Sequence, residues 1–89
     1  MKIKSCTLPS FWDAYEKLYQ EIKKQAKRKY ELWLEDPFYP SLHFKCIHTS
    51  ENIWSARITL NYRVLGIFEG DTVTWFWIGS HDDYEKYFG

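Results

Sequence analysis

At 89 residues the chain has the length of one domain, and a single domain over residues 1–89 is expected. Twelve Lys and Arg balance twelve Asp and Glu, which argues against a uniformly basic nucleic-acid binder, while 5 Trp, 7 Tyr and 6 Phe give a short chain dense apolar area for a core without staples. The longest apolar run falls far short of the roughly 20 residues of a membrane span, and Met1-Lys2-Ile3-Lys4 precedes no apolar stretch, so neither a span nor a signal peptide is expected and the cytoplasm is the expected location.

Residues 2–7 alternate polar and apolar, the period of a short strand, and Pro9-Ser10 then offers a helix start. From Phe11 the apolar spacing becomes three and four, through Tyr15, Leu18, Ile22, Ala26, Tyr30 and Trp33, until Pro37. One helix of that length would measure about 37 Å against a domain about 30 Å across, so a helix hairpin bent near residues 19–21 is expected. After the turn at Asp36-Pro37-Phe38-Tyr39-Pro40 come four strand-like runs, at 42–48, 53–60, 62–69 and 72–79. The links between them are too short for crossovers, so an antiparallel meander with the helix pair packed on one face is expected, an α+β fold.

Cys6 and Cys46 belong to no CxxC and have no His at ligand spacing, so a disulfide framework or zinc site is not expected and both are read as small buried hydrophobes. His43 and His48 have no third ligand in view, and no metal site is read there. The rings of Trp75, Phe76 and Trp77 fall on both faces of the last strand, as in a central strand covered on each side.

The balanced charge conceals an asymmetry. Residues 1–34 carry eight Lys and Arg against four acids, and residues 35–89 carry four against eight. The basic excess concentrates in Lys23, Lys24, Lys27, Arg28 and Lys29 of the second helix. That run reads either as a solvated face, supported by pairs such as Glu21 with Gln25 and Lys27 with Glu31, or as a surface for phosphates.

The element order, with Asp36-Pro37-Phe38-Tyr39-Pro40-Ser41-Leu42-His43-Phe44-Lys45, Trp54-Ser55-Ala56-Arg57-Ile58, Tyr62-Arg63-Val64 and Trp77-Ile78-Gly79-Ser80-His81-Asp82-Asp83-Tyr84, resembles the RelE/ParE superfamily of bacterial toxins from type II toxin-antitoxin pairs, in its RelE-like plasmid-stabilisation branch. The resemblance spans nearly the whole chain and rests on motif order and spacing. It implies ribosome-associated mRNA cleavage; alternatives are poisoning of DNA gyrase, as in ParE-like members, or a non-toxic member that only binds an antitoxin. It further implies a cognate antitoxin as partner, the ribosome and mRNA as targets, and no cofactor.

Carried over by position, Arg57 and Arg63 match the sheet arginines, Lys45 a basic residue on an earlier strand and His81 the terminal catalytic position, while Tyr84 and Phe88 fall where some members place an aromatic. The basic residues Lys23, Lys24, Lys27 and Arg28 would then rest on RNA phosphates. A Glu that one relative uses before the central strands is replaced here by Ser41, Leu42 and His43.

Metal-free RNA cleavage needs a group to take the 2′-OH proton, a group to protonate the departing 5′ oxygen, and positive charge beside the phosphate. Imidazole suits the proton work at neutral pH and the guanidinium fork suits phosphate oxygens, so Arg57 and Arg63 are read as phosphate ligands, His81 as general acid or base, and Tyr84 as a positioning or stacking ring. The plainer readings are strand arginines paired to Glu69, Asp82 or Asp83, and a Ser80 helix cap with Asp83 at the capping-box position that leaves His81 merely exposed. Strand parity separates them in part: a three-residue connection Leu60-Asn61-Tyr62 puts both arginines on one side of the sheet, a two-residue connection on opposite sides, and the three-residue form is expected. The acids Asp82, Asp83 and Glu85 flank His81 and work against the approach of a polyanion.

Overall fold

The computed structural model describes residues 2–88. The order of elements is β1 (Lys4–Thr7), α1 (Pro9–Glu16), α2 (Gln20–Glu35), a 3-10 turn (Pro40–Leu42), β2 (Lys45–His48), β3 (Ile53–Thr59), β4 (Tyr62–Glu69), β5 (Thr72–Ser80) and α3 (His81–Phe88). Pro9 starts α1 because its fixed φ and missing N–H suit a first helical position. Tyr19, extended at φ −64° and ψ 151°, breaks the helical run, so the bend lies at residues 17–19, just before the expected place. A continuous helix would have outrun the 33 Å long axis of the molecule. Helix α2 stops at Asp36, whose extended backbone precedes Pro37 and whose Oδ1 accepts the Phe38 N–H at 3.1 Å.

The five strands lie in the order β1-β5-β4-β3-β2. Strands β2 to β5 form the expected antiparallel meander, but β1 adds to β5 in parallel, so the sheet is mixed. The helix between β1 and the meander supplies the long return that parallel pairing requires. Helix α1 lies over β5 and α2 over β3, burying Ala26 and Trp33 against Ala56, Ile58, Val64, Val73, Trp75 and Ile78. Trp33 is the hinge of this layer, with its ring centroid 5.3 Å from Trp75 and 5.7 Å from Phe44, both edge to face.

Two expectations change, and one element is added. Cys6 is exposed, with Sγ 3.2 Å from Thr74 Oγ1, and Cys46 is half-buried, because β1 is an edge strand and β2 the opposite edge. The segment after β5 is a full helix, α3, and it packs against the second face of the sheet, where Phe88 meets Trp77 with centroids 5.4 Å apart. The β3–β4 connection is Leu60-Asn61, because Thr59 pairs with Tyr62. Two residues alone would throw the arginines to opposite sides, yet Arg57 pairs directly with Arg63, because Ile58 is an extra residue in β3, a bulge that resets the parity.

Candidate nucleic-acid interface

Alternation along each strand sends Ala56, Val64 and Ile78 into the helix layer and their neighbours Arg57, Arg63 and Gly79 to the second face. The next row on that face is Lys45, Ser55, Leu65 and Trp77. Leu65 is 1% exposed yet stands apart from the cluster under the helix pair, the mark of a second, smaller apolar patch beneath Trp77 and α3. Gly79 makes that patch possible, since a Cβ there would lie 2.5 Å from Trp77 Cζ2, inside the indole.

Beside the patch the surface turns cationic. Arg57 and Lys45 are exposed and Arg63 is half-buried, and the three line a depression of about 50 Å³ with His43, Ser55, Thr59 and Tyr62. Ion pairs among the described residues join Lys4 to Asp71, Lys23 to Glu16 and His81 to Glu85, so none of the acids proposed as partners holds Arg57 or Arg63. Two guanidinium groups directly opposite each other without a carboxylate repel, and an anion between them relieves that repulsion.

Helix α3 brings the terminal residues to the edge of this surface. The Ser80 hydroxyl accepts the Asp83 N–H at 3.1 Å, capping the helix as one sequence reading held. The His81 N–H donates to the Asn61 carbonyl oxygen at 2.6 Å, tying the helix start to the β3–β4 hairpin. One turn on, the Tyr84 ring lies 5.1 Å from the Arg63 guanidinium and 6.2 Å from the His81 ring, so Arg63, Tyr84 and His81 form a continuous row. The exposed His81 imidazole has Nε2 3.4 Å from Glu85 Oε1. Asp82 and Asp83 occupy the first turn, where the helix dipole favours negative charge. Phe88 packs against Phe76 and Trp77 and serves to dock the helix.

The structure therefore groups Arg57, Arg63, Lys45, Tyr84 and His81 on one face. Lys23, Lys24, Lys27 and Arg28 belong to α2, on the opposite side of the sheet, and do not extend the arginine surface; Lys23 bridges to Glu16 at 3.8 Å. His43, which lies in the segment where one relative uses a Glu and is not read as a metal ligand, lines the depression with the arginines. Its left-handed backbone, φ 45°, ends the 3-10 turn and sets the entry into β2, a conformation the sequence does not announce for a His.

No curated protein matches the sequence. Similar folds occur in the RelB-RelE antitoxin-toxin complex of Methanococcus jannaschii (20% identity, 94% of this chain and 99% of that chain, TM-score 0.76) and YafQ of E. coli (11%, 98% and 99%, 0.75). The YoeB/ParE toxin of Agrobacterium tumefaciens is similar as well, at 19% identity over 89% of this chain and 99% of that chain, with a TM-score of 0.68. The sequence profile of the ParE-like toxin domain matches residues 20–86, from the start of α2 into α3, and thus takes in every member of the arginine surface. The chain belongs to the ParE-like toxin domain family, within the RelE/ParE superfamily of toxins.

Proposed function

We propose that this protein is the toxin of a type II toxin-antitoxin pair and cleaves mRNA on the ribosome without a metal. The observation that carries this reading is the direct opposition of Arg57 and Arg63, on one face, with no carboxylate ion-paired to either among the described residues. In this reading the two guanidinium groups hold the non-bridging oxygens of the scissile phosphate, and Lys45 follows the strand beyond it. The 2′ oxygen attacks phosphorus as its proton passes to a base; the bond to the 5′ oxygen breaks as an acid protonates it, leaving a 2′,3′-cyclic phosphate and a 5′ hydroxyl. His43 and His81 are the imidazoles at this surface and take these two roles. Tyr84 fixes Arg63 from below.

The partner in this reading is a cognate antitoxin that covers the arginine face. Support comes from similar toxin folds found bound to antitoxins, as in the Methanococcus jannaschii RelB-RelE complex and the E. coli DinJ-YafQ complex. Controlled expression with mapping of mRNA ends tests the proposal. Translation arrest with cuts in ribosome-bound mRNA, lost in Arg63→Ala, supports it. Induction of DNA damage with intact mRNA would assign the protein to gyrase instead, and normal growth with folded protein would leave an antitoxin-binding module.

A further inference from the structure

Between the helix pair and the sheet, on the side away from the arginines, lies a cavity of about 460 Å³. Its deep walls include Trp33, Ile58, Trp75 and Ile78, each no more than 5% exposed, and its rim includes Trp12, Tyr30, Lys27 and Lys29. The volume falls within the roughly 300–1,000 Å³ of small-molecule sites. It also exceeds the about 150 Å³ at which an apolar cavity already takes up benzene.

Two polar features specify what would fit. Lys27 and Lys29 are the charged residues of the lining; no Asp or Glu lines it, and neither lysine has a carboxylate within ion-pair distance among the described residues. The walls thus offer apolar contact and two cations, a set that matches an apolar body carrying an anionic head. We infer that this cavity binds an amphiphilic organic anion, a medium-chain or aryl carboxylate. Its apolar body lies against Trp33 and Trp75 and its head faces Lys27 and Lys29, whose long stems can reach over the mouth. This site is independent of the nuclease reading, because the sheet separates it from Arg57 and Arg63.

The test is titration of the full chain with sodium decanoate below its micelle concentration, followed by tryptophan fluorescence and by NMR of the indole N–H signals. Saturable one-to-one binding that shifts the Trp33 Nε1–H signal is expected. The Lys27→Glu/Lys29→Glu double variant, whose changes lie at the rim, should weaken decanoate at least about tenfold while leaving decanol unaffected. Ala26→Leu, which grows a side chain from the cavity wall, should reduce binding of both. Absence of saturable binding by folded wild type would overturn the inference. So would equal binding of decyltrimethylammonium, or decanoate affinity unchanged in the double lysine variant.

Discussion

Arg57 of β3 and Arg63 of β4 are direct cross-strand partners, held on one face by the single extra residue Ile58. Like charges placed directly opposite destabilise a sheet by about 0.2–1 kcal/mol. Arg57→Thr should therefore raise the stability of the fold by about 0.5 kcal/mol in urea melts while removing toxicity. Added salt should stabilise wild type more than the variant, since screening relieves the repulsion only where it exists. Arg63→Thr should gain less, because it also forfeits the contact with Tyr84.

The register carries a second consequence. Deleting Ile58 joins Arg57 directly to Thr59, so a regular two-residue hairpin still sets Arg57 opposite Arg63, and what is lost is the buried Ile58 side chain, 5% exposed under the helices. The expected outcome is a folded protein less stable by about 2–5 kcal/mol, with the arginine pair kept on its face, read by urea melts followed by circular dichroism. Unchanged stability in the deletion would show that the Ile58 side chain contributes nothing to the core.

Gly79→Ala places a Cβ 2.5 Å from Trp77 Cζ2 and must push the indole off the sheet. Trp77 in turn supports Phe88, so α3 should loosen and the fold lose about 1–3 kcal/mol. Tryptophan emission and amide exchange in residues 84–88 report the change. Ser80→Ala should loosen the same helix through its cap, by about 1 kcal/mol, without moving Trp77.

Asp71 sits in the β4–β5 turn, where the Thr72 hydroxyl and then Lys4 hold its carboxyl below the ordinary carboxylate range. A lowered folded pKa means stabilisation that is present above the unfolded value and lost as pH falls through the folded one. Asp71→Asn should thus flatten the acid limb of the stability profile slightly, the effect being small because the side chain is exposed to solvent. Thermal melts of both proteins across the acid range measure it.

Much of this architecture is legible in the sequence, and the parts that are not share a cause. Pro9, Pro37 and the Gly70-Asp71 turn mark element ends through local backbone chemistry, and the strand-like run at residues 62–69 reads directly as β4. The cap by Ser80 follows from its spacing to Asp83. Hidden from sequence were the bulge at Ile58, the parallel addition of β1 beside β5 and the seat of α3 on the second face, each decided by tertiary packing. Cys6 is exposed rather than buried because it lies on an edge strand, and nothing in residues 2–7 says which edge they join. The arginine pair is visible as two positions; that none of Glu69, Asp82 and Asp83 holds either follows only from their packing.

The most direct test of the phosphate-holding arginine pair uses purified protein, ribosomes loaded with a defined mRNA, and chelator to exclude metals. Cleavage yielding cyclic-phosphate and 5′-hydroxyl ends is expected, slowed about 100-fold or more by Arg57→Ala and by Arg63→Ala, with both variants still folded and antitoxin-competent. Full-rate cleavage by either arginine variant, or intact mRNA with active wild-type toxin, would contradict it.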